Sequence, residues 1–239
     1  AAVEMDFRKR RSLWSGRFLL GQNVGQFSIR GGRVHLADDI LFRDEPVRML
    51  RIFQIAQEYD ADIHPHALKR ITRALPSMGA QTREDREANE LFISILTSRK
   101  NPERILRLMN ESGVLGKFLP DFGRIVAMMQ FDMYHSYTVD EHTIKTIGVL
   151  HQIESNELAK TAPVATHVMP EIESRRALFV AMFLHDMAKG RGGDHSILGA
   201  ELALTLCRGL GLTREETETV SWLVKYHLLM SKTAFRYDL

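Results

Sequence analysis

The chain has 239 residues, 44% hydrophobic and 26% charged, with a formal net charge of +2 and a sequence pI near 8.7. That balance is ordinary for a globular protein and leaves no long basic stripe, so no nucleic-acid partner is expected. A single cysteine, Cys207, rules out an intrachain disulfide and a thiolate zinc site and is compatible with a cytoplasmic setting. No run reaches the roughly 18 apolar residues of a spanning helix, so no membrane partner is expected either.

The N-terminus, Ala1 to Asp6, is acidic and lacks both an apolar signal core and an initiator methionine, which suggests a processed or excised chain. The basic run Arg8-Lys9-Arg10-Arg11 reads as a solvated segment. Residues 26–30 and 33–37 alternate in polarity around Gly31-Gly32, the pattern of a two-residue β-hairpin. An isolated hairpin is marginal in water, so it is expected to join a sheet or pack on helices.

From residue 44 onward helical signals dominate. Asp44 is read as the cap of a first helix with Pro46 in its first turn. Further helices are expected over 66–74, 85–97 and 102–109, with apolar spacing continuing over 115–129, broken at Pro120. The remaining helices fit 138–157, 173–189, 195–209 and 213–230, with a loop at Thr161-Ala162-Pro163. Thr213 and Glu216 have the spacing of a capping box. Met128, Met129 and Phe131 read as core, as does Cys207.

The histidines carry the functional signal. Leu178, Ala181, Met182 and His185 follow the i, i+3, i+4, i+7 rule, and so do Val220, Leu223, Val224 and His227. Each of these histidines ends an apolar stripe and is expected to point inward. His142 shares a face with Val139, Thr146 and Val149, a weaker case. Asp186 follows His185, and an ionised aspartate there needs a cation or donors around it. Neutral imidazoles with carboxylates around one cleft supply ligands for one or two divalent ions. Lys189, one turn after Asp186, is placed to reach a phosphate held on the metal. Asp194 is placed to cap a helix starting at His195, and the small Gly199 and Ala200 allow close helix approach. His135, between Tyr134 and Tyr137, is read as bordering a substrate cleft. His35, His64, His66, His151 and His167 are assigned to surface or packing. The bland alternative, that each inward histidine is a satisfied core residue, stays open for any one of them taken singly.

These residues resemble the HD phosphohydrolase pattern, His … His-Asp … Asp, in a longer form with two further histidines. The stretches from Tyr134 to His142, from Leu184 to Ser196 and from His227 to Ser231 are similar to the GlnD family of bifunctional uridylyltransferase/uridylyl-removing enzymes. Residues Leu41 to Arg51 resemble the neck that follows the catalytic head of nucleotidyltransferases. The resemblance implies an all-α fold: an HD helical bundle over 131–239, a helical linker over 44–130, and in 1–43 the tail of a transferase region with its hairpin. No Gly-Ser turn precedes an Asp-x-Asp, so the transferase catalytic residues are not expected here, nor are ligand-sensing ACT domains. The implied activity is removal of UMP from the uridylylated tyrosine of the PII signal protein in nitrogen regulation, with Mn²⁺ or Mg²⁺. By the same resemblance His142, His185, Asp186 and Asp238 are the primary ligands. His195 and His227 hold a second ion or contact the phosphate, Asp186 and Lys189 serve the chemistry, and Arg191 helps hold the nucleotide. Two alternatives stay open: an HD hydrolase of another nucleotide substrate, and a regulatory module with a structural metal site.

Overall fold

The structure, a computed structural model, describes residues 21–36, 41–129 and 137–237. His135, Phe131 and Asp238 therefore lie outside the described residues.

Gly31 and Gly32 both adopt positive φ, 55° and 71°, which L side chains resist and which a two-residue hairpin turn needs. They join β2 (Phe27–Arg30) to β3 (Arg33–Leu36), with Arg30 opposite Arg33. The hairpin is the middle of a four-stranded sheet: β1 (Gln22–Val24) pairs antiparallel to β2, and β4 (Asp62–Ile63) pairs parallel to β3. Phe27, Ile29, Val34 and Ile63 are buried, so the sheet gains the apolar support that a lone hairpin lacks.

The helices of the first half are α1 (Leu41–Asp44), α2 (Arg48–Glu58), α3 (Pro65–Ala74), α4 (Ala80–Glu84), α5 (Arg86–Leu96) and α6 (Pro102–Glu111), followed by the short α7 (Val114–Phe118) and α8 (Pro120–Gly123). Asp85 caps α5 by accepting from the Ala88 N–H, and Asn101 caps α6 by accepting from Arg104. Asp44 does not cap a helix as expected: it closes α1, and α2 begins after Val47 with no side-chain cap. The apolar stretch over 115–129 breaks at Pro120 as expected, α7 ending at Phe118 and α8 running from Pro120 only to Gly123. A Cβ on Gly123 would lie 2.8 Å from the Gly116 carbonyl oxygen, so α7 and α8 cross in backbone contact.

The second half holds α9 (Val139–Glu154), α10 (Pro163–Val168), α11 (Arg175–Leu184), α12 (His195–Gly209), α13 (Arg214–Tyr226) and α14 (Leu229–Tyr237). Thr213 and Glu216 form the expected capping box at α13. The expected helix over 213–230 is two helices, because the chain turns at His227-Leu228 with no glycine or proline to announce it. The helix over 173–189 likewise ends at Leu184. Met129 and Val149, read as core and as stripe, are 63% and 40% exposed.

The two halves share one core. Phe183 of α11 stacks on Phe122 of α8 with ring centroids 5.4 Å apart, and meets Phe92 of α5 edge-on at 5.5 Å. All three rings are fully buried, so the residues just after Phe183 are anchored against the first half of the chain. The described residues are mostly helical with one small sheet, as the sequence implied.

Candidate metal centre

The histidines meet at the ends of four helices. His142 lies in the first turn of α9, His185 is the C-cap of α11, His195 opens α12, and His227 is the C-cap of α13. The two C-cap histidines behave alike. His185 Nδ1 is 2.7 Å from the Met182 carbonyl, and His227 Nδ1 is 2.7 Å from the Val224 carbonyl. A carbonyl only accepts, so each Nδ1 carries the hydrogen. The last carbonyls of α11 and α13 gain a donor, and each ring is fixed with its Nε2 turned toward Asp186.

Asp186 is the hub, with only 2% of its surface exposed. Its Oδ2 faces Lys189 Nζ at 2.8 Å, His185 Nε2 at 3.2 Å and His142 Nε2 at 3.6 Å. Its Oδ1 faces His195 Nε2 at 3.7 Å and His227 Nε2 at 3.8 Å. Ligand-type atoms thus gather in two triads, His142/His185/Asp186 and Asp186/His195/His227, each within 4.8 Å, sharing one carboxylate.

The electrostatics suit a cation. Burial works against ionisation of Asp186, but His185 and Lys189 outweigh it and hold the carboxyl well below the usual carboxylate range. Burial pushes His195 and His227 the other way, below the ordinary 6.5, so both favour the neutral imidazole that ligates metal. Among the described residues, their Nε2 atoms are buried without a hydrogen-bond partner. Two orphaned ring nitrogens beside a carboxylate are costly unless a positive ion sits among them, and the donor set of imidazole nitrogen and carboxylate oxygen fits a divalent ion.

Of the residues singled out from sequence, the structure brings together His142, His185, Asp186, Lys189, His195 and His227. Arg191 stands apart, with Nη2 2.5 Å from Asp121 Oδ1 in α8. Asp194 caps α12 by accepting from the Ser196 N–H at 2.8 Å. Gly199 lets α12 approach α13, where an added Cβ would be 3.0 Å from Val224. His35 and His64 stack on each other away from the cluster, with ring centroids 4.4 Å apart. Cys207 is buried and its thiol pushed up to about 12, which keeps it unionised.

Residues 139–237 match the HD domain family, and residues 27–118 match the uridylyltransferase GlnD third domain. The second half of the chain is therefore an HD domain, a metal-dependent class. Similar relatives are the bifunctional uridylyltransferase/uridylyl-removing enzymes of Azospirillum brasilense, 58% identical over 218 residues, and Rhodospirillum rubrum, 52% identical over 240. These alignments cover 91% and 100% of this chain but 23% and 26% of the relatives. The chain belongs to the GlnD family, and it spans about a quarter of the length of the curated relatives it matches.

Proposed function

We propose that this chain carries the uridylyl-removing activity of its family: hydrolysis of the phosphodiester between UMP and a tyrosine of the PII signal protein. The observation that supports it most is the convergence of four imidazoles and an ammonium on Asp186, at 2.8 to 3.8 Å.

In this reading His142, His185 and Asp186, with Asp238, hold a divalent ion, Mn²⁺ or Mg²⁺, and His195 and His227 hold a second ion or the phosphate. A divalent ion supplies a water of lowered pKa and polarises the phosphoryl oxygen. The protein's own groups do the rest. Asp186 stays ionised at neutral pH and balances the positive charge. Lys189, held one turn away, offers its ammonium to the phosphoryl oxygens as water attacks phosphorus. The P–O bond to tyrosine breaks, the phenolate leaves with the bonding pair, and the proton given up by the attacking water restores it to the phenol. Its reference pKa near 10 makes it a better leaving group than an alkoxide, so less acid assistance is needed. Arg191 has N–H groups to spare beyond its bond to Asp121, and with His135 it borders the nucleotide.

The test is to incubate the chain with uridylylated PII and Mn²⁺ and measure released UMP. Slow release is expected, and it is abolished by Asp186→Ala. No release from a chain that has bound its metal would overturn the reading in favour of a regulatory role.

A further inference from the structure

We infer that residues 120–129, outside the HD match, brace the metal centre, and that Asp140 is the positioning residue through which the brace fixes His142. This rests on the metal reading above and extends it to groups remote from the ligands.

Asp140 lies in the first turn of α9, two residues before His142 and so about 200° round the helix. One face of α9 presents His142 to Asp186, and the opposite face buries Asp140, 4% exposed, against the first half of the chain. There its Oδ1 accepts from the Ala127 N–H at 3.2 Å and its Oδ2 accepts from Asn110 Nδ2 at 2.8 Å. Ala127 takes φ of +57°, a left-handed conformation that alanine resists and that the surroundings must hold in place. The next residue continues the grip, because the Met128 carbonyl accepts from the Val139 N–H at 3.0 Å. Arg107 of α6 adds an ion pair to Glu141.

The same segment reaches the loop that carries Lys189. Asp121 holds Arg191, and the Met128 side chain covers Gly190, where an added Cβ would lie 2.7 Å from the Met128 Cε. Gly190 has φ of +76°, a left-handed conformation that favours glycine whatever the space around it. One short segment therefore touches both the start of α9, which carries His142, and the loop that follows Asp186. Among the described residues, no hydrogen bond or ion pair joins it to His195 or His227. A buried carboxylate held by neutral donors is a poor way to stabilise a core, which points to orientation as its task.

The role is separable from charge. In Asp140→Asn the amide oxygen still accepts from Ala127, and the amide NH₂ faces Asn110, whose Oδ1 is buried without a partner among the described residues and is presented by an amide flip. Asp140→Ala removes both bonds. We expect Asp140→Ala to weaken Mn²⁺ binding by roughly 10- to 100-fold, the range for lost orienting partners, and Asp140→Asn to bind like the parent. Equal loss in both variants, or none in Asp140→Ala, would overturn the inference. Ring NMR signals of the metal-free chain give a second readout. Asp140→Ala should displace those of His142 and leave those of His227, even if the parent binds no Mn²⁺ and the metal reading itself fails. Unmoved His142 signals would also overturn it. Asn110→Ala, which removes one bond only, serves if Asp140→Ala does not fold; it should move the same signals by less, and its failure to move them counts against the brace.

Discussion

At the scale of single residues, the cluster sets a pH signature. His195 and His227 are held below the ordinary 6.5 chiefly by burial. The unfolded chain therefore takes protons at a higher pH than the folded chain does. Stability from these groups is complete above about pH 6.5 and is lost as pH falls toward their folded values. Asp186 adds a second loss below its ordinary 3.8, since its folded carboxyl is held down by His185 and Lys189 against burial. Urea midpoints of the chain in chelator should fall between pH 8 and pH 5, and a flat profile would contradict the neutral burial of these rings. Mn²⁺ should bind more weakly over the same window, because protons compete for the nitrogens.

At the scale of elements, the sequence exposed the site through helical spacing and hid what surrounds it. His185 and His227 end stripes, and the structure supplies the reason: both are C-caps whose rings close back on a carbonyl three residues earlier. The Thr213 capping box, the Asp194 cap and the Gly31-Gly32 turn were equally readable, since each is a local rule with its partners a few residues apart. The break at His227 was not, because Leu228, Leu229 and Met230 continue an apolar pattern that suits an unbroken helix. Asp44 misled for a related reason: a good capping residue before a proline reads alike whether a helix starts or ends there. β4 is two residues long, below what alternation can reveal. The Arg191–Asp121 and Asp140–Asn110 bonds join positions 70 and 30 residues apart, and no spacing rule reaches that far.

At the scale of the whole molecule, the candidate metal centre is tied to the first half of the chain by a packed aromatic contact. Phe183 sits two residues before His185 and is gripped by Phe92 and Phe122 from the other half. Arg175, at the start of α11, donates to the Thr97 carbonyl at the end of α5 and pairs with Glu154 of α9. The chain should therefore unfold in one cooperative transition, with Phe183→Ala lowering stability by about 3–5 kcal/mol through the cavity it leaves. Two resolved transitions, with only the later region sensitive to Phe183→Ala, would show the halves to be independent.

A titration of the chain with Mn²⁺, followed by electron paramagnetic resonance of the free ion, bears most directly on the cluster as a cation site. Specific binding by the parent and its loss in Asp186→Ala, the one residue common to both triads, is the expected result. Unchanged Mn²⁺ uptake by Asp186→Ala would mean that the ion sits elsewhere.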